Sequence, residues 1–386
     1  MKMDRKAAAP VAAERDQCAR VGMSGNRSKD GGLAMNVTTY GLDLAKQIFQ
    51  VHWVEPCTGE VKSKALPRSE VSAFFARREP GVVAMEACGS AHHWGRLLLG
   101  LGHEVRLIAP QFVRPFVKTN KTDMADAEAI WEAVQRPRMR TVALKTEEQQ
   151  AMLGLHRLRQ LLVKMRTMQA NQVRGLLYEF GLIMPKSWRA LLAQAGPRLA
   201  DDAHWSVPGL LRRELQEQLV GIRALTSRIA ELERQIGAWQ RREAECGRIA
   251  EVPGVGKLTA TATAIVATVG DARGFRSGRE FAAYLGLVPR QSGTGGKVKL
   301  LGISKRGDVY LRTLLIHGAR TVLTTQSRAG RTLDPWLAEL LRRRPKNVAI
   351  VALANKMART IWALLAHGRA FDRNWGVARG AVPVVA

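Results

Sequence analysis

Four carboxylates and one serine are the side chains here whose types and spacing could do chemistry. Asp43 lies in "YGLDLAKQIF" between Leu42 and Leu44. On a strand the two leucines turn to one face and the aspartate to the other. A carboxylate in a buried strand is costly unless it is paired or bound to a cation. Glu86 closes the apolar run "GVVAME", and the carboxyl ends of strands are where α/β sheets place ligands. In "KTNKTDMADAEAI", Asp123 and Asp126 stand three apart, so on a helix they share a face. A set of hard oxygen ligands suits Mg²⁺ or Mn²⁺. Two such ions can stabilise the attacking and leaving oxygens of a phosphodiester. Each acid also has a plainer reading. Asp123 could be a helix N-cap, with Asp126 favoured by the helix dipole; Glu86 could pair with a cation, and Asp43 could accept from a backbone amide.

The serine lies in "GLVPRQSGTGGKVKLLGISKRG", a Gly-, Lys- and Arg-rich stretch that reads as a loop holding Ser292 and Ser304. Loop serines are ordinarily turn formers. Around them, Lys297, Lys299, Lys305, Arg306 and Arg312 could hold phosphate charge. Upstream, "PGVGKLTA" resembles the turn of a helix–hairpin–helix element. Gly254 and Gly256 there would bring backbone N–H groups to a phosphate, with Lys257 beside them; an ordinary tight interhelical turn is the alternative. Neither glycine-lysine pair is a P-loop. Leu258 and Val298 stand where the hydroxyl for Mg²⁺ belongs, and Glu251 and Gln291 where the first glycine belongs. ATP use is unsupported.

Charge says what these groups would meet. The chain has 60 Lys+Arg against 33 Asp+Glu, a net +27, and such a surplus points to a polyanion, nucleic acid above all. Lys118 and Lys121, flanking the aspartate pair, would steer a phosphate backbone in. A membrane surface is the weaker rival, since no run of about 18 uncharged apolar residues stands out. Aromatic content of 6% is low for a protein that grips single strands by stacking, so backbone electrostatics dominates. Cys18, Cys57, Cys88 and Cys246 lie far apart and indicate neither a zinc site nor a disulfide framework, which fits a reducing cytoplasm.

Several elements must position these groups. Residues 1–34 are small, polar and aperiodic and predict a disordered leader, with Met35 an alternative start. From 35 to 145, strands alternate with helices: "TTYGLDLA", "IFQVHWV", "GEVKSKALP", "GVVAMEA" and "HEVRLIAP" read as strands, and "EVSAFFARR", "AHHWGRLLLGLG" and "TDMADAEAIWEAVQ" as helices. That is an α/β layout with a mixed sheet. From 146 to 245 the pattern is helical. Leu215, Ile222, Ile229 and Ile236 fall seven apart, with Leu225, Leu232 and Trp239 on the adjoining seam. Isoleucine at one seam position and leucine at the other suits a two-stranded coiled coil between chains; a helical hairpin with the preceding long helix is the other solution, and the two can coexist. Residues 246–330 read as a mainly α C-terminal domain with glycine-rich turns, and 331–386 as a basic helical tail.

On "YGLDLAK", "AMEACGSAHHW" and "LIAPQFVRPFVKTNKTDMADAEAI", the chain resembles the DEDD transposases, insertion-sequence recombinases related to the Piv invertases. The likeness runs from about residue 35 to the end. It implies an N-terminal domain like the RuvC Holliday-junction resolvase, of ribonuclease-H-like fold, in which Asp43, Glu86, Asp123 and Asp126 form the metal-binding tetrad. "GLVPRQSG" and "GISKRG" resemble the C-terminal transposase domain of the same recombinases. That implies Ser292 as the catalytic serine, Ser304 being the reserve. Attack by a serine would give a phosphoserine link that conserves the phosphodiester energy, so strands could exchange without ATP. The resemblance further implies cytoplasmic, nucleoid-associated work in bacteria on element ends and target DNA. It implies dimers pairing two DNAs in a tetramer and, in some members, a structured bridge RNA. Two rivals remain: a junction-resolving nuclease using the acids and water without a covalent intermediate, and a non-enzymatic nucleic-acid-binding scaffold.

Overall fold

The computed structural model describes residues 37–118, 122–200, 207–255, 261–328 and 334–372. The expected leader, 1–34, and Met35 lie outside the described residues. The chain divides into two compact units, Met1–Leu144 and Lys145–Ala386.

The first unit is a mixed sheet covered on both faces. In chain order it runs β1 (Thr39–Asp43), β2 (Ile48–Val54), β3 (Val61–Pro67), α1 (Val71–Ala76), β4 (Val82–Glu86), α2 (Ala91–Gly100), β5 (Glu104–Ile108), α3 (Pro110–Val113), α4 (Asp123–Val134) and β6 (Thr141–Val142). The sheet order is β3-β2-β1-β4-β5-β6. β1, β4 and β5 run parallel at its centre, while β2 and β6 run antiparallel to their neighbours. Alternation sorts the side chains. Tyr40, Leu42, Val83, Met85 and Leu107 face a core with Val71 and Phe75 of α1 and Trp94 and Leu98 of α2. Ala84 and Ile108 face the other way, into a core with Val113 of α3 and Ala129, Ile130 and Ala133 of α4.

Gly41 shows how closely α4 lies on the sheet. A Cβ there would collide with the Ala127 carbonyl and fall 2.8 Å from Trp131 Cβ. Glycine is required by backbone approach rather than by a turn. Cys88 and Cys246 are free thiols.

The second unit is mostly helical. It contains α5 (Glu147–Glu179), α6 (Trp188–Ala200), α7 (Gly209–Arg242), α8 (Ala244–Ala250), α9 (Thr261–Val269), α10 (Gly278–Tyr284), a two-stranded hairpin of β7 (Pro289–Thr294) and β8 (Lys297–Ile303), α11 (Val309–Arg328), α12 (Pro335–Arg343) and α13 (Lys346–His367). A capping box opens α5: Thr146 Oγ1 accepts from Gln149 N–H and Gln149 Oε1 from Thr146 N–H, both at 3.1 Å.

α5 and α7 form an antiparallel hairpin. Glu148, at the start of α5, accepts from Trp239 Nε1 at 2.9 Å and Arg242 at 2.7 Å, near the end of α7. Farther along, Arg159 pairs with Glu233. At the other end, Ala170, Val173 and Leu177 share a core with Leu215, Leu219 and Ile222. Leu215, Ile222, Ile229, Ile236 and Trp239 are buried, Leu225 and Leu232 half-buried. The heptad seam thus packs on α5 of the same chain as an internal hairpin.

α13 is long and apolar enough to cross a membrane by length and composition, although Lys356 and Arg359 interrupt it, so it is not an uncharged run. It packs as a core helix instead, burying Ala349, Ile350, Ala354, Met357, Ala358, Ile361 and Leu364.

Candidate metal centre and nucleic-acid interface

The register of the first unit gathers the four acids. Leu42 pairs with Met85 across the parallel β1–β4 contact, so the next residues, Asp43 and Glu86, end adjacent strands side by side. Both follow the parity of Gly41 and Ala84, which face α4. Gly41 lies against Ala127. Two strand residues advance about 6.8 Å and four helical residues about 6 Å, so Asp43 comes level with the first turn of α4.

That turn is built by Thr122. Its hydroxyl accepts from Ala125 N–H at 3.2 Å, and its carbonyl from Asp126 N–H at 2.9 Å. Thr122, not Asp123, is therefore the N-cap. Asp123 and Asp126 both sit in the first turn, where the helix dipole favours negative charge, with their carboxylates released from capping. Asp123 is exposed; Asp43, Glu86 and Asp126 are half-buried.

Electrostatics registers the clustering. Asp43 is pushed up to about 6, first by burial and then by the negative charges of Asp126, Asp123 and Glu86, against a lowering hydrogen bond from the Leu44 backbone. Cys88, after β4, is also raised, by burial first and with contributions from Glu86 and Asp43. Among the described residues no three His, Cys, Asp or Glu side chains already converge as a coordination cage. The acids share a field without closing into a finished ligand set. Their carboxylate oxygens are hard donors of the type that fits a divalent cation.

His52 and Trp131 were not singled out from the sequence, yet they wall this face. Their rings stand 5.5 Å apart, and burial lowers the His52 pKa against the raising charge of Glu128. Trp131 Nε1 donates to the Thr39 carbonyl at 3.1 Å, fastening α4 to β1. Lys118 is exposed and paired with Glu132 at 3.1 Å and Glu128 at 3.6 Å, so its charge is engaged by α4. Lys121 lies outside the described residues.

In the second unit, Ser292 lies in a strand and not in a loop. It sits in β7 directly opposite Lys299 of β8, and Thr294 sits opposite Lys297. The hairpin is exposed along nearly its whole length. Gly295 and Gly296 make its tip, with φ of 58° and 79°, the left-handed pair of a type I′ turn. The "GGK" is a hairpin turn, which explains structurally why it fails as a P-loop.

The base of the hairpin is clamped. Ser304 N–H donates to the Val288 carbonyl at 2.8 Å and Lys305 N–H to Gly286 at 3.1 Å. Gly286 and Gly307 have positive φ, and a Cβ on either would collide with the opposing backbone, Arg306 and Tyr284 respectively. Arg312 departs from its expected phosphate role. It is buried, and Nη1 donates to the carbonyls of Leu285 at 3.1 Å and Arg306 at 3.2 Å. Its Nη1 is engaged in locking this clamp, while the Lys305 and Arg306 side chains stay exposed. Ser304 is half-buried within it. Gly254, with φ of 87°, packs against α11 and α13: a Cβ there would fall 2.8 Å from the Gly318 carbonyl oxygen and 2.9 Å from Met357 Cε. Gly256 and Lys257 lie outside the described residues.

Comparison with known proteins agrees at both ends of the chain. A DEDD transposase model matches residues 40–181. A model described as "Transposase IS116/IS110/IS902 family" matches residues 246–333. The chain is 53% identical to a "Probable family 20 transposase" of Pseudomonas aeruginosa, over 86% of this chain and 98% of that one. It is 41% identical to the transposase for insertion sequence element IS1111A of Coxiella burnetii, over 86% and 90%. It is 40% identical to that for IS1328 of Yersinia enterocolitica, over 88% and 99%.

Proposed function

The chain belongs to the IS116/IS110/IS902 transposase family, and from that premise we propose that it cleaves and rejoins DNA strands with a divalent-metal acid site in its first unit and a serine nucleophile in its second. The observation that carries the metal site is the raised pKa of Asp43 beside Asp126, Asp123 and Glu86. Four carboxyls held in one field repel each other until a cation enters. Asp43, Glu86, Asp123 and Asp126 would hold Mg²⁺ or Mn²⁺, which when bound supplies charge neutralisation for the developing phosphodiester oxygens. The mixed sheet, with two acids at adjacent parallel strand ends, supports reading residues 35–145 as a RuvC-like domain.

Ser292 is the nucleophile of the proposal. Its Oγ forms a bond to phosphorus as one P–O bond to the deoxyribose breaks. The serine proton leaves to a base, and the departing sugar oxygen takes up a proton to become a hydroxyl. The resulting phosphoserine keeps one phosphodiester bond for each bond broken. A hydroxyl from another strand then reverses the step, and no ATP is consumed. The exposure of Ser292 opposite Lys299 supports this role, since both can meet a DNA backbone without rearranging the core. Exposed Lys297, Lys299, Lys305 and Arg306 supply phosphate contacts. We place a guide RNA and dimer-to-tetramer assembly within the same proposal, on the family resemblance and the +27 charge.

Covalent trapping tests it. Wild type should give a denaturation-resistant protein–DNA adduct with Mg²⁺, and Ser292→Ala should give none while still binding DNA. If Ser292→Ala cleaves at the wild-type rate and acid variants do not, the enzyme is a hydrolytic nuclease of the junction-resolving kind. Loss of adduct on ribonuclease treatment would support the guide RNA.

A further inference from the structure

Cross-strand partners in an antiparallel pair lie on the same face of the ribbon, so the β7–β8 hairpin has two unlike faces. Ser292, Lys299, Thr294 and Lys297 share one; Gln291, Gly293, Val298 and Leu300 share the other. On the second face Val298 and Leu300 are 64% and 63% exposed and offer an anion nothing. The first face carries two hydroxyls and two ammonium groups, all exposed. The register irregularity between Pro289 and Gln291 breaks the ladder on one side, and the Gly295–Gly296 tip ends it on the other. Between those limits the face holds two hydroxyl–lysine pairs.

The two pairs are one strand period apart, about 6.8 Å. Consecutive phosphates of one DNA strand rise about 3.4 Å along the axis and stand about 7 Å apart once the helical rotation is added. The spacings coincide. We propose that this face reads two consecutive phosphates: Ser292 and Lys299 take the phosphate that is attacked, and Thr294 and Lys297 take its neighbour. The first half rests on the serine assignment above; the second names a flanking-phosphate subsite that fixes which linkage lies under Ser292. Thr294 and Lys297 are positioning residues. They hold the backbone in register and touch no reacting atom.

The test uses the full chain and a DNA fragment bearing the element end that it cleaves. The fragment is made unmodified, or with a single neutral methylphosphonate at the phosphate on either side of the cleaved one. One of the two substitutions should slow adduct formation about tenfold in wild type, as for loss of one positioned phosphate contact worth about 1.4 kcal/mol. In Lys297→Met the unmodified DNA should be slowed to the same extent, the methylphosphonate should add nothing, and the salt dependence of binding should fall by about one phosphate. Lys297→Arg should recover most of the rate, and Val298→Thr, on the other face, should match wild type. Additive effects of Lys297→Met and the methylphosphonate, or equal sensitivity at both flanking positions, would overturn the subsite. The serine assignment fails separately, if Ser292→Ala still forms adduct. In that case adduct remains the readout, strand nicking replaces it if wild type forms none, and the Lys297 coupling is measured either way.

Discussion

Asp43 carries an energetic cost that the fold does not relieve by itself. Its carboxyl titrates near 6 instead of 3.8 because burial and three neighbouring acids oppose its charge. The folded state therefore binds the proton more tightly than the unfolded chain, and without a cation the fold gains stability as pH falls through about 6. At pH 7, Asp43→Asn should raise stability by about 1–2 kcal/mol after discounting for partial exposure, while abolishing Mg²⁺-dependent cleavage; thermal melts and a cleavage assay read the two effects. Asp126→Asn should lower the Asp43 pKa without returning it to 3.8, because burial, the larger cause, remains; carboxyl NMR titration measures it. His156 has the opposite sign of pH dependence. It is buried between Thr263 Oγ1 at 2.9 Å and Tyr310 Oη at 3.0 Å, and burial pushes it down to about 4. Its neutral ring stabilises fully above 6.5, and that contribution is lost as pH falls through about 4, to a limit of about 3 kcal/mol. His156→Gln should flatten this acid limb in denaturant melts at stepped pH.

At the scale of elements, the start of α4 separates capping from chemistry. Thr122→Ala should cost about 1 kcal/mol, the worth of a cap. Asp123→Asn should cost less or stabilise, since it relieves repulsion on Asp43; urea melts of the two variants order the effects. The aspartate pair was legible from its spacing of three. The cap was not, because threonine and aspartate are both good N-caps and their adjacency leaves the first helical residue ambiguous by one. The central strands were legible as apolar runs ending in acids, since strands buried on both faces are near-continuously hydrophobic. β6, two residues long, has no pattern to read. The β7–β8 hairpin read as a loop because an exposed, glycine- and lysine-rich ribbon has no buried face to impose clear alternation. Arg312 read as a phosphate ligand because composition cannot show that it is buried with Nη1 donating to two backbone carbonyls.

At the scale of the whole molecule, the heptad seam of α7 bears on how copies of the chain associate. A seam with isoleucine and leucine seven apart satisfies a partner helix of either origin, so its sequence pattern is the same for an internal hairpin and for a coil between chains. What separates them is the partner, and here α5 supplies it, with Glu148 and Glu233 pairing across the antiparallel contact. An internal seam is a unimolecular contribution to stability, whereas a seam between chains makes stability depend on protein concentration. Ile222→Ala, removing a fully buried side chain, should cost about 2–5 kcal/mol. Its loss in Tm relative to wild type should be the same at low and hundredfold higher protein concentration. If the deficit shrinks as concentration rises, α7 is binding a second chain through the face it turns to α5, and the hairpin is not its working partner.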